Sequence, residues 1–262
     1  MGRVFRRIIG SGTLGLLFRY PLDLTTLLLL SYRSLFAEAR RGEMSTFMLV
    51  RRQIYFTTLL GFPVIAVAAL SMGALIFTYA IAQLPGFGAS EHVAPLSNSV
   101  LFQEAAPFLT ALIVIARSGT AISTELGNMM VNREIELLES QGISVAFFVI
   151  FPRIQGMIIS MIILVLLFDV MAFIGGYAVA QQIVPEATEY PFALFIDEFQ
   201  LAHISITLLK AICFGVIIGT VCTYQGLQPS RSSTEVPQCA TRAVVHSLAF
   251  CILVNFFISV YI

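Results

Sequence analysis

Long apolar windows separated by short polar breaks set the pattern of this chain. No charged residue occurs between Arg52 and Glu91. That interval exceeds the roughly 20 apolar residues that carry a helix across a bilayer, so it predicts a long or tilted span. The span is placed near 55–84, with further apolar windows at about 98–124, 152–180, 199–224 and 240–262. The first 50 residues read differently. Arginine-rich turns alternate there with the apolar clusters Phe5, Ile8, Ile9 and Leu14, Leu16, Leu17, Phe18, ahead of Pro21 and the leucine run 27–30. This pattern predicts an amphipathic helix lying in the membrane interface. Arg19, Asp23 and Arg33 interrupt the apolar stretch and no small-residue cleavage site follows Leu30, so removal as a signal peptide is not expected. Gly2 does not begin a myristoylation pattern, because Arg6 stands where Ser or Thr is required. The fold class expected is an all-α integral membrane protein. An N-terminal interfacial or cytoplasmic helical segment occupies 1–50, and a domain of five transmembrane helices occupies 51–262.

Composition agrees: 58% of residues are hydrophobic and 11% charged, with a mean hydropathy of +0.89, leaving no polar block for a soluble domain. The formal net charge is zero, yet the charges are unevenly placed. Nine of the 15 basic residues fall in the first 52 positions, whereas the segments 85–97 and 181–198 contain none. Lys and Arg in short loops are retained on the cytoplasmic side. The expected orientation therefore has the N-terminus inside, 125–151 and 225–239 inside, and the C-terminus outside.

Several chemistries are excluded. Cys213, Cys222, Cys239 and Cys251 lie in or beside apolar windows without a Cys-x-x-Cys pair, and His92, His203 and His246 are scattered, so no metal site is expected. The sole lysine, Lys210, stands between Leu209 and Ala211. It cannot belong to a phosphate-binding P-loop, which needs Gly-Lys followed by Ser or Thr. No catalytic cluster is present and no nucleic-acid partner is expected. If ATP drives this protein, another chain binds it.

The polar interruption at 117–152 predicts a short helix of its own at 132–141. Asn132 is a suitable N-cap, Glu134 and Glu136 complement the positive end of the helix, and Gly142 can take the left-handed conformation that stops it. Val131, Ile135 and Leu138 share one face, while Arg133, Glu136, Glu139 and Ser140 make the others polar, so the helix should lie along a surface. Composition alone leaves open a solvated connector or a docking helix for a cytoplasmic partner.

Ionisable residues inside the spans need partners or water. Lys210 is expected about 18 Å inward from the 197–198 acidic pair, near mid-depth in a hydrocarbon core of about 30 Å. Glu104 and Asn255 are its candidate companions, either in a lipid-cavity or gating role or as a purely structural polar contact between helices, and Asp169 reads as a structural contact. Gly215 and Gly219 allow close helix approach, by default within one chain. Leu75, Phe77, Tyr79, Leu101 and Phe102 are candidate lining for an acyl-chain route.

Several blocks occur in order: 104–107 (EAAP), 116–127 (ARSGTAISTELG), 134–143 (EIELLESQGI), Phe151-Pro152-Arg153, Asp169 followed by Gly175-Gly176, a 224–226 turn (YQG) and 241–247 (TRAVVHS). Together they resemble the signature of the MlaE/YrbE permeases of MCE-associated lipid-transport ABC systems, over about 50–262. The resemblance implies a permease subunit without catalysis of its own, moving phospholipid between inner and outer membranes in support of outer-membrane lipid asymmetry. It implies a bacterial inner-membrane location and a dimer of permeases, a homodimer or with a second permease as a heterodimer. The dimer would sit beneath a periplasmic MCE ring and above two ATPase subunits, often accompanied by a small STAS-domain protein. No cofactor is implied on this chain; ATP and Mg belong to the ATPase. The segment 128–142 would be the coupling helix, with Arg117, Glu125, Arg133, Glu134, Glu136, Glu139 and Gly142 serving ATPase coupling. Glu104, Gln103, Lys210 and Asn255 would serve the lipid cavity or its gate. Gln103 stands where the family commonly has arginine and Asn255 where it commonly has aspartate. The reading from a different class is an ATP-independent secondary transporter or channel, with Glu104, Lys210 and Asp169 as an ion path; internal repeat symmetry, its expected mark, is missing.

Overall fold

The computed structural model describes residues 16–38, 45–83, 99–183, 201–229 and 232–261. The clusters around Phe5 and Ile8, the arginines before Leu16, Arg40 and Arg41, and the outer segment 85–97 lie outside the described residues, as do the acidic residues at 197–198.

The described chain is helical, with no strand among the described residues. Helix α1 spans Leu16–Glu38 and α2 spans Ser45–Gln83. Helix α3 is one continuous run in which the winding alternates: π-wound Ser99–Ala105, α-helical Ala106–Val114, π-wound Ile115–Gly119 and α-helical Thr120–Val131. The short α4 is Glu134–Ser140, and α5 opens with a π turn at Ala146–Ile150 before continuing as Phe151–Ile183. Helices α6 (Leu201–Gly226) and α7 (Glu235–Tyr261) complete the order.

Five helices are long and apolar enough to cross a membrane: Phe47–Tyr79, Leu101–Val131, Ala146–Val179, Ser205–Gly226 and Glu235–Tyr261. These are the five windows read from the sequence, but their ends differ. The first, third and fifth begin earlier than expected and the second ends later, and Arg51, Arg52, Glu125 and Glu235 lie inside helices rather than in the loops between them. Hydropathy marks where a segment becomes polar, whereas the helix continues until its backbone hydrogen bonds are interrupted.

The most extensive packing joins α2 and α5, along a seam of small residues. A Cβ on Gly175 would lie 2.8 Å from the Leu70 Cα, and one on Gly73 would strike the Ala172 carbonyl. Helix association in lipid depends on such close backbone approach. Gly215 and Gly219 do the same between α6 and α5, where added Cβ atoms would stand 2.7 Å and 3.1 Å from the Cα atoms of Ile158 and Ile154. Their spacing thus serves packing within one chain. Around this core, Val64 and Val67 of α2, Val170 and Ile174 of α5, and Phe256 and Val260 of α7 are exposed, an apolar exterior suited to hydrocarbon rather than water. The four cysteines are free, and Cys222, Cys239 and Cys251 are buried as small packing groups.

Helix α1 docks on the bundle through Leu24 and Leu27, which are buried, and through a polar aromatic junction. The Tyr20 ring meets Tyr224 and His246 edge-on at 5.3 and 5.0 Å and stacks on Phe250 at 5.9 Å. Gln225 Nε2 donates to the Tyr20 hydroxyl at 2.9 Å, and Tyr224 donates to Asp23 at 3.3 Å. Burial raises the Tyr20 phenol above its ordinary value, so it stays protonated.

Candidate functional site

The first π turn of α3 decides the geometry around Lys210. Pro107 has no N–H, so the Gln103 carbonyl four residues earlier lacks its usual helical donor, and the π winding ahead of it shifts the hydrogen-bond ladder by one residue. Helix α6 donates to this turn: Thr207 Oγ1 to the Phe102 oxygen at 3.1 Å, and Lys210 Nζ to the Gln103 oxygen at 3.0 Å.

Lys210 is completely buried, and all three of its ammonium hydrogens have acceptors. Besides Gln103 these are Glu104 Oε1 at 2.7 Å and Ser259 Oγ at 2.9 Å. The carboxylate accepts two further hydrogens: Ser259 donates to Oε1 at 2.7 Å and Asn255 Nδ2 to Oε2 at 3.1 Å. Three spanning helices, α3, α6 and α7, are therefore tied at one end of the bundle. The ion pair is asymmetric, the Lys210 side chain being 1% exposed and the Glu104 side chain 41%. The cation is sealed in protein, while the anion opens onto whatever lies beside the bundle.

Sequence reasoning paired Lys210 with Glu104 and Asn255, and the structure brings these three together. Gln103 joins through its main-chain oxygen rather than its side chain. Ser259 was missed, since one hydroxyl in an apolar helix carries no charge signal. The five candidate lining residues fall into two environments. Leu75 and Tyr79 face outward on α2, whereas Phe77, Leu101 and Phe102 are buried in the core. Asp169 stands in α5 with a buried Oδ1 that has no hydrogen-bond partner.

At the other end, α4 projects its polar faces. Ile135 is buried and Leu138 packs against the core, while Arg133, Glu134, Glu136 and Glu139 are exposed together with Leu137. The start of this helix differs from expectation. Asn132 is the C-cap of α3 rather than the N-cap of α4, and Arg133 caps α4 in the left-handed conformation with φ 58°. With two residues between the helices, one must end α3 and the other must turn the chain. Gly142 ends α4 as read from the sequence: at φ +77°, its N–H reaches Glu139 O at 3.0 Å and Ile143 N–H reaches Leu138 O at 3.0 Å, the paired bonds of a Schellman stop.

Arg117 and Glu125 lie at this end on α3. Glu125 pairs with Arg153 of α5 at 3.0 Å, and Arg153 also donates to Val149 O at 2.8 Å. Arg153 was visible in the sequence motif but not as the partner of Glu125. Arg117 lines the same cavity as Arg52, Glu125 and Arg153. Among the described residues no group of three or more potential ligands could hold a metal ion.

Five helices long and apolar enough to cross a membrane, with a sealed cation at one end and a short polar helix at the other, make this a multi-pass membrane protein. Within that class the family is shown: residues 50–261 match the family described as Permease MlaE, and the chain belongs to it. It is 29% identical to a probable ABC transporter permease protein of Rickettsia typhi, over 80% of this chain and 82% of that protein. It is 27% identical to a probable ABC transporter permease protein of Synechocystis over 74% and 75% of the two chains. The intermembrane phospholipid transport system permease protein MlaE of Haemophilus influenzae is 24% identical over 77% of each.

Proposed function

We infer that this chain is the permease subunit of an ABC transporter that moves phospholipid between the inner and outer membranes of a bacterium. The ATPase is a separate chain, which carries ATP and Mg, and a periplasmic MCE protein receives or delivers the lipid. Two permease copies form the dimer, identical or paired with a second permease, and a STAS-domain protein accompanies the ATPase. The N-terminus is cytoplasmic and the C-terminus periplasmic. The N-terminal helix α1 lies in the interface; its outward side, with Leu22 and Leu29 beside Thr25, Thr26 and Arg33, supports that reading.

The observation that carries the reading is the Lys210–Glu104–Asn255–Ser259 cluster. It is an ion pair with a fully hydrogen-bonded, sealed ammonium and an open carboxylate side, seated on a π-wound turn beside a proline. Such turns mark functional positions in helices, and a charge inside the membrane is retained where it serves a pathway. In the proposed mechanism this cluster latches the outer ends of α3, α6 and α7. ATPase closure is received by the exposed acidic faces of α4 and passed through α3, to which Glu125 and Arg117 belong, so that the latch opens and the lipid path with it. The ion-path alternative would require Asp169 to share protons with Lys210. All three Lys210 hydrogens are committed elsewhere, which favours a latch over a relay.

Mass spectrometry of proteins and lipids retained by the tagged chain, purified gently from its native membrane, tests this function. An ATPase, an MCE protein and bound phospholipid together support it. Reproducible recovery of the chain alone in several mild detergents would count against α4 as a coupling helix.

A further inference from the structure

Three guanidinium groups converge at the end of the bundle remote from Lys210. Arg52 of α2, Arg117 in the second π turn of α3 and Arg153 of α5 line a cavity of about 420 Å³, a size suited to a small ligand or headgroup. Glu125 is the one carboxylate among its lining residues and is already paired with Arg153 at 3.0 Å. Neither Arg52 nor Arg117 has a carboxylate partner among the described residues. Arg52 lies over the Phe56 ring at 5.6 Å, and Arg117 is half-buried in the wall. Three cations against one anion leave two positive charges in excess, and Arg153 Nε is buried with no hydrogen-bond partner.

Arg52 is exposed at the mouth, whereas Arg117 is half-buried and Arg153 Nε is buried without a partner, and an anion that accepts forked hydrogen bonds compensates guanidinium groups held in this way. The neighbouring wall narrows the choice of anion. Thr57 and Ser118 add hydroxyls, whereas Phe56 and Leu60 at the rim are each 47% exposed on the apolar exterior. Charge within and hydrocarbon at the rim match a molecule with a phosphate and acyl chains. We propose that this cavity is a binding site for the phosphate of a phospholipid headgroup from the adjacent leaflet, with the acyl chains leaving across Phe56 and Leu60. Inorganic phosphate offers the same oxygen acceptors and at least as much charge, but nothing to cover the rim. The site is separate from the Lys210 cluster and does not depend on what the protein transports.

Equilibrium binding to the purified full-length chain in neutral detergent tests the proposal, with three probes: dihexanoyl-phosphatidylglycerol, dihexanoylglycerol without phosphate, and inorganic phosphate. The first should bind and the second should not, and inorganic phosphate should fail to compete at matched concentration. The R52Q/R117Q double variant should lose about tenfold or more in affinity for the phosphatidylglycerol, while R242Q, at an exposed arginine outside the cavity, should keep it. A single E125Q variant, which makes the cavity more positive, should bind at least as tightly. Unchanged affinity in R52Q/R117Q, an equal loss in R242Q, or weaker binding in E125Q would overturn the site. Equal competition by inorganic phosphate would overturn its assignment to lipid.

Discussion

Lys210 donates to the Gln103 main-chain oxygen at 3.0 Å, and Pro107, which has no N–H, removes the helical donor that oxygen would ordinarily have. A residue that cannot donate therefore creates an acceptor for a buried ammonium one helix away. The ammonium in turn ties the main chain of α3 to α6 at this turn.

The asymmetry of the Lys210–Glu104 pair gives a directional expectation. Removing one partner of a buried ion pair costs about 3–5 kcal/mol when the survivor is left without compensation. Glu104→Gln leaves a completely buried ammonium, so its cost should lie in that range. Lys210→Met leaves a carboxylate that is 41% exposed and can find water or headgroups, so its cost should be lower. The double variant should recover much of the difference. Unfolding midpoints of the four proteins in mixed detergent micelles measure this, and equal losses in the two single variants would contradict it.

Coupling through α4 can be separated from stability, because Glu136 and Glu139 are exposed. Reversing both charges, Glu136→Lys with Glu139→Lys, should leave the unfolding midpoint within the usual range for surface changes, about 0.5 kcal/mol. Co-purification of the ATPase should fall several-fold. Retention of the ATPase at the wild-type level would remove these carboxylates from the docking face.

Two glycine substitutions should fail for different reasons. Gly175→Ala puts a Cβ 2.8 Å from the Leu70 Cα, and neither backbone can yield without parting α2 from α5. A loss of about 2 kcal/mol or more is expected, as for other overpacked cores. A Cβ at Gly142 meets nothing within 4 Å, yet φ is +77°. Gly142→Ala should therefore cost only the left-handed backbone term, about 1 kcal/mol. Gly142→Asn should recover part of it, since Asn tolerates that conformation. Comparing the three midpoints checks both statements.

The spans were legible because a bilayer imposes a length on any apolar run, and 53–90 carries no charge at all. Lys210 and Glu104 were legible because charges in such runs are rare enough that each needs an account. The register between helices was not. Ser259 lies 49 residues from Lys210, and nothing in its neighbours announces the contact. The same holds for Arg153 and Glu125, which were both visible but not as a pair. Asn132 misled because a good N-cap residue is also tolerated at a helix C-terminus, and only the two-residue interval between α3 and α4 decides which end it serves. The π turns had one available signal: Pro107 and Pro152 each follow one by two residues.

Asp169 decides between latch and ion path. Its Oδ1 is buried without a partner, and the three Lys210 hydrogens go to Gln103, Glu104 and Ser259 instead. In the latch mechanism a protonatable group at this position is dispensable, so Asp169→Asn should leave ATP-driven lipid transfer within about twofold of wild type. The pH profile should not change either, because Asn keeps the shape and removes only the titration. Proteoliposomes containing the assembled transporter, with labelled lipid and pH varied on one side, provide the readout. Transfer reduced well beyond twofold in Asp169→Asn, with the residual rate newly independent of pH, would assign proton movement to this residue and overturn the latch.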